Sequence, residues 1–287
     1  MASQQSEGHE SDDLTRACAA LAATLQLDEI PRLIRPFEEG LSNRSFLVGL
    51  DDDRWVVRCA SGAPALGTEF SREVRVHERA CIAGLAPRII FADATSRVLC
   101  TEFIAPGSTV VHDARVTATL LRAIHQLPCD GPALLPLERL ANFRAELTHS
   151  TAAIRVLNSY DASLGDAEQL LHRGEHPVLC HNDLLRANRL QSRNRLLAID
   201  WEYACTGDPY FDIAGVASEL SEKERGILLW AYLGREPERA ELQRYHANSI
   251  FYLAIYHLWM ARYSPQRFDE HGMEMDLTAA VRRLEAV

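Results

Sequence analysis

The sequence predicts an α+β protein of two lobes, a small N-terminal lobe over residues 14–104 built from an antiparallel sheet plus a helix, and a larger, mainly helical lobe over residues 105–287. Three observations predict it. Segments with strand-like alternation fall before residue 104, a Pro106-Gly107 breaker stops that pattern, and apolar residues afterwards recur at helical spacing. A chain of 287 residues with 47% hydrophobic content is ample for packed cores of this size.

Residues 1–13 are polar and acidic and read as a disordered tail. Leu14 to Leu27 carries alanines and leucines at helical spacing behind Ser11-Asp12-Asp13, a plausible N-cap. Strands follow at Leu33–Pro36, Ser45–Leu50 and Trp55–Cys59, the last two joined by an acidic hairpin turn, Asp51-Asp52-Asp53. Glu69 to Ile82 has helical periodicity, with Gly84 as its stop and Pro87 just beyond. Arg88–Ala92 and Arg97–Phe103 complete the strands, and the hinge falls at Glu102 to Gly107. Beyond it, helices are expected over Val116–His125, Leu137–Leu157, Ala162–His172, Glu219–Tyr232, Glu238–Tyr263 and Asp276–Leu284. A loop, a short strand and a second loop interrupt them between His181 and Glu202, and the two lobes should leave a cleft for a ligand.

Composition excludes some partners. A formal net charge of -10 argues against nucleic acid or an anionic membrane, either of which needs a broad basic surface. Ile250 to Ala261 is too short and too polar to span a bilayer, and residues 1–13 lack the apolar core of a secretory signal. A cytoplasmic protein is expected, with seven dispersed cysteines that read as reduced, packed thiols. Zinc at His176, Cys180 and His181 is disfavoured, because no second ligand pair with finger-like spacing exists. Oligomeric state is not legible.

Chemistry concentrates in one stretch. From His181, an acid follows at Asp183 and an amide at Asn188, the spacing of a phosphoryl-transfer catalytic loop. The apolar run Leu196–Ile199 then delivers Asp200 at the end of a buried strand, and Glu202 lies on the same side of the extended segment. A carboxylate at Asp183 is placed to accept the proton of an attacking hydroxyl. Asn188 and Asp200 are hard oxygen ligands suited to magnesium, and Glu202 could hold the same ion or a second one. His181 is assigned to holding the loop. Asp and Asn are also ordinary turn residues, but their coupling to a strand-borne acid downstream makes coincidence a poor explanation.

The small lobe supplies the other half of a nucleotide site. Gly40-Leu41-Ser42-Asn43 lies between two strands, where backbone N–H groups of small residues can approach phosphate, although an ordinary hairpin turn looks the same. Arg58 ends the apolar run Val56-Val57, and Glu73 sits on the next helix, a strand cation and helix carboxylate of the kind that holds nucleotide phosphates. Its planar fork can bridge a carboxylate and phosphate together; Glu69 or Glu78 are alternative partners, since the helix phase is only inferred.

With these residues in place, the sequence resembles the choline/ethanolamine kinases and thiamine kinases, relatives of the aminoglycoside phosphotransferases within the protein-kinase-like bilobal fold. Similarity runs from about Phe37 to about Ala217, most specifically in Gly40–Asn43, Gly84–Pro87, His181–Leu185 and Ile199–Ala204. The resemblance implies Asp183 as base, Asn188, Asp200 and Glu202 as Mg2+ ligands, Ser42, Asn43, Arg58 and Glu73 at the ATP phosphates, and adenine near Glu102, Phe103 and Ile104. Arginine replaces the strand lysine of a protein kinase, Asp200-Trp201-Glu202 replaces Asp-Phe-Gly, and no activation loop ends in Ala-Pro-Glu, so a protein substrate is disfavoured. Asp212, in Gly207–Asp212, is expected to be a structural hydrogen-bond acceptor.

The expected reaction is therefore ATP- and Mg2+-dependent phosphorylation of the hydroxyl of a small cationic metabolite, choline/ethanolamine or thiamine. Tyr252, Tyr256 and Trp259 lie at four- and three-residue spacing on one helix, which suits either packing or a cation cage, and Tyr256 and Trp259 are taken as substrate residues. An aminoglycoside or amino-sugar kinase is the alternative enzyme, and a non-catalytic nucleotide-binding scaffold the alternative of another class.

Overall fold

The computed structural model describes residues 2–37, 43–60, 65–105, 113–129, 131–147, 151–171, 177–192 and 195–287. They gather into two compact units, residues 1–110 with 190–203, and residues 111–189 with 204–287. The division differs from the expected boundary after residue 104, because the chain returns to the first unit at residue 190 and brings Asp200, Trp201 and Glu202 with it.

In the first unit, helix α1 (Ala2–Leu25) starts at Ala2, so helix replaces the tail expected over residues 1–13. Once Ala17, Cys18 and Leu21 are buried, extending a helix toward its N-terminus costs little, since each further residue adds a hydrogen bond. Strands β1 (Arg32–Phe37), β2 (Asn43–Leu50) and β3 (Asp53–Ala60) are followed by helix α2 (Phe70–Ile82) and strands β4 (Ile89–Asp93) and β5 (Val98–Glu102). They form a five-stranded antiparallel sheet in the order β1-β2-β3-β5-β4. Along β3 burial alternates: Trp55, Val57 and Cys59 join Val48, Val98 and Cys100 in the core under α1. The two-residue period therefore sends Arg58 to the opposite face. Helix α2 ends as expected, with Gly84 at a φ of 72° and Leu85 N donating to Ala80 O at 2.8 Å.

The second unit opens with α3 (Ala114–His125), α4 (Pro136–Glu146), α5 (Thr151–Ser159), α6 (Asp161–Leu170) and the short strand β6 (Val178–Cys180). The single helix expected over Leu137–Leu157 is thus two, α4 and α5. Strands β7 (Arg189–Ser192) and β8 (Arg195–Ala198) lead the chain into the first unit, where Ala198 N donates to Leu85 O at 2.7 Å. Strand β9 (Cys205–Gly207) returns to pair antiparallel with β6. Four helices complete the unit: α7 (Pro209–Ser218), α8 (Glu222–Leu233), α9 (Arg239–Tyr263) and α10 (Glu270–Glu285). Helix α7 has no polar stripe to announce it, being buried from Tyr210 to Ala217. Helix α8 carries a Ser221/Glu224 capping box and stops at Gly234 in the left-handed region. No helix among the described residues is long and apolar enough to cross a membrane.

Candidate active site

In the second unit, the loop between β6 and β7 carries Asp183 and Asn188, and the structure brings the two together. Asn188 Nδ2 donates to Asp183 Oδ2 at 2.8 Å and to Asp183 O at 2.9 Å, which makes the amide oxygen the other arm of Asn188. The short 3-10 turn Arg186–Asn188 sets that geometry. His181, fully buried, accepts from the Asp183 backbone N–H through Nδ1 at 3.3 Å, the loop-holding role expected of it. Asn182 sits at a φ of 65°, a conformation asparagine tolerates better than most residues.

The anchor of this loop is Asp212, buried in the first turns of α7. It accepts from the backbone N–H of His181 at 2.7 Å and of Asn182 at 2.5 Å, and from His125 Nε2 at 3.1 Å. His125 Nδ1 in turn meets the Tyr232 hydroxyl at 2.7 Å. Burial alone pushes the Asp212 carboxyl up, but the hydrogen bond and charge of His125, with the charge and backbone N–H of His181, bring it net below the usual carboxylate range. Asp212 thus accepts hydrogen bonds structurally, as its position in the sequence suggests. His125 gave no such signal, because its partners are distant in sequence.

In the first unit, Arg58 is the centre of a charge triad. Its Nη2 pairs with Glu73 and its Nη1 with Asp200 Oδ1 at 2.8 Å. Glu73, rather than Glu69 or Glu78, is therefore the helix partner. Burial alone lowers the Arg58 pKa, yet Glu73, Asp200 and Glu202 raise it net, so the guanidinium is held charged. Asp200 has a φ of 63°, a constrained backbone position two residues beyond the end of β8. Glu202 accepts from Asn43 Nδ2 at 3.1 Å, so Asn43 meets an expected metal acid. Ser42 lies outside the described residues, as do Gly40, Leu41, the Pro106-Gly107 hinge and His176. At the other end of the sheet, Glu102 closes β5 and accepts from Arg88 N at 2.9 Å, Phe103 N donates to Arg54 O at 3.3 Å, and Phe103 and Ile104 are half-buried. Trp201 is fully buried, with Nε1 donating to Ala198 O at 3.3 Å, and so packs the core.

A cavity of about 320 Å³ lies within the second unit, lined by Leu185 of the loop between β6 and β7 and by Glu219, His246, Tyr256, Asp276 and Arg283 among others. Arg186 N and the buried Arg189 Nη2 both donate to Glu219 Oε2, at 2.7 and 2.8 Å, so its second oxygen is not the one they use. Tyr256 stacks on the buried Tyr252, centroids 6.4 Å apart. Burial first, then the charges of Asp276, Asp183 and Glu219, push the Tyr256 phenol up against an opposing effect of Arg267; of these carboxylates Glu219 and Asp276 line the cavity with it. Trp259, three residues beyond Tyr256 on α9, packs against Tyr263, centroids 5.4 Å apart, and the cavity lining includes Tyr256 but not Trp259. Glu219 and Asp276 carried no motif of their own, since chain folding alone brings α7 and α10 to Tyr256.

The phosphotransferase enzyme family model matches residues 33–247. Thiamine kinase of Escherichia coli strain K12 is 30% identical over 202 residues, covering 68% of this chain and 69% of that protein. A choline/ethanolamine kinase family protein from Mesorhizobium loti has a similar structure, with a TM-score of 0.73, 19% identity and 95% of each chain covered. Choline kinase LicA from Streptococcus pneumoniae is also similar, with a TM-score of 0.70 and 18% identity over 96% of this chain and 99% of that one; LicA has also been solved in complex with AMP.

Proposed function

The chain belongs to the phosphotransferase enzyme family and is a small-molecule kinase, and from that premise we propose that it transfers the terminal phosphate of magnesium-ATP to the hydroxyl of a small cationic metabolite of the choline, ethanolamine or thiamine kind. The observation that carries this reading is Asp183, hydrogen-bonded by Asn188 and two residues from Leu185, which lines the same cavity as Tyr256. A carboxylate so held can receive the proton of an acceptor hydroxyl. Tyr256 offers an aromatic face, and Glu219 and Asp276 offer negative charge, to a cationic nitrogen.

The donor set fits the nucleotide and its ion. Asp200, Glu202 and the amide oxygen of Asn188 are hard oxygens of the kind magnesium takes, and Asp200 engages Arg58 through one oxygen, Oδ1. Bound magnesium would neutralise charge on the triphosphate oxygens. Arg58, held charged by Glu73 and Asp200, supplies a planar fork for phosphate. Asp183 takes the hydroxyl proton as the acceptor oxygen attacks, and the loop N–H groups that donate to Asp212 and to His181 Nδ1 keep it oriented.

A coupled assay with magnesium-ATP against choline, ethanolamine, thiamine, amino sugars and aminoglycosides tests this. ATP consumption with one of the small cations is expected. Tight nucleotide binding with no consumption for any alcohol would instead mark a non-catalytic scaffold, and consumption confined to aminoglycosides an antibiotic kinase.

A further inference from the structure

The cavity has two poles. On α10, Asp276, Ala279, Ala280 and Arg283 all line it, a spacing that defines one helical face, so Asp276 and Arg283 stand two turns apart, roughly 10 Å along the axis. Helix α9 contributes Tyr256 at one end and His246 at the other. Near Tyr256 stand two carboxylates, Glu219 and Asp276, of which Glu219 is paired with Arg189 at 2.8 Å and Asp276 with His257 at 2.9 Å. Near His246 stand two guanidiniums, Arg225 and Arg283, which share a single carboxylate, Glu222, at the long distances of 3.6 and 3.5 Å. One pole is therefore lined by two paired carboxylates, and the other by two guanidiniums that share one carboxylate, Arg225 also donating through Nε to Ala217 O at 2.9 Å. His246 reports that second field: burial first, then Arg283, lowers its pKa to about 4, so at neutral pH it is an uncharged hydrogen-bonding group beside two cations.

Resting on the phosphotransfer reading above, we propose that this cavity takes an amphoteric acceptor: a cationic nitrogen close to the phosphorylated hydroxyl lies between Tyr256, Glu219 and Asp276, and an anionic terminus two helical turns away is held by Arg283 and Arg225. An alcohol as short as choline or ethanolamine engages the negative pole alone and leaves both guanidiniums without a ligand. An anion at the far pole gains charge-assisted hydrogen bonds from donors that one exposed carboxylate only partly compensates. The acceptor class is thus set by Arg225, His246 and Arg283 as much as by the carboxylates near Asp183.

The test uses two synthetic quaternary ammonium alcohols with the choline headgroup and the same flexible alkyl tether, long enough to span two helical turns, one ending in a carboxylate and the other in a methyl group. Calorimetric titration of the full chain measures binding, independently of turnover. The carboxylate compound is expected to bind at least about tenfold more tightly than its methyl partner. Arg283→Met should abolish that difference, and Glu222→Gln, which removes the competing carboxylate, should widen it. Equal binding of the two compounds to the wild-type chain, no binding of either, or a preference that survives in Arg283→Met and is unmoved by Glu222→Gln would overturn the proposal. Turnover of the same compounds with magnesium-ATP reports separately on phosphotransfer: binding preference without turnover keeps the two-pole cavity and removes its reading as the acceptor site.

Discussion

Single buried charges decide the most here. Arg58 faces two carboxylates, Glu73 and Asp200, with its side chain only 13% exposed. Removing it in Arg58→Ala leaves two carboxylates without their cation and should cost about 3–5 kcal/mol in denaturant unfolding. Arg58→Lys restores charge but not the fork, so stability should recover most of the way while affinity for magnesium-ATP stays about tenfold weaker in a titration. Asp212→Ala strips the acceptor from His181 N, Asn182 N and His125 at once. Unfolding free energy should fall by about 3 kcal/mol or more. Arg58 and Asp183 stand out as candidates in the sequence because each sits in a short pattern whose chemistry depends on spacing. The choice of Glu73 over Glu69 and Glu78 is not legible there, since helix phase becomes fixed only when α2 packs.

At the scale of elements, alternation in β3 and periodicity in α1 and α2 were legible because each has one more buried and one more exposed face. Helix α7 was missed for the opposite reason. Buried on every side, it has no contrast between faces, and the Asp208 cap before Pro209 is the local signal that marks its start. Its packing is also tight: a Cβ on Gly215 would lie 2.8 Å from the Tyr252 ring. Gly215→Ala should therefore destabilise by about 1–3 kcal/mol and displace Tyr252, against which Tyr256 stacks. Helix α9 adds a pH dependence through His246. Its folded pKa of about 4 lies below the ordinary value of 6.5, so the unfolded chain binds more protons there and stability falls as pH drops from 6.5 toward 4. Between pH 7 and pH 5 the loss should be on the order of 2 kcal/mol, and His246→Gln should remove it from the unfolding curves.

For the whole molecule, a net charge of -10 means that affinity for a triphosphate has to be local. The expected base and the expected metal acids fall in different units, with Asp183 and Asn188 in one and Asp200 and Glu202 in the other. The fold class was legible from where strands stop and helices begin; the return of residues 190–203 to the first unit was not, because pairing between distant segments leaves no periodic trace. The cavity proposed for the acceptor was half legible: Tyr256 stood out at its spacing, whereas Glu219, Asp276 and Arg283 line it only after α7, α9 and α10 assemble. The central claim, that Asp183 takes the hydroxyl proton, is tested most directly by single-turnover phosphoryl transfer in Asp183→Asn, measured alongside magnesium-ATP affinity. Transfer slower by about a thousandfold or more with nucleotide affinity unchanged is the predicted result, and transfer at the wild-type rate would contradict it.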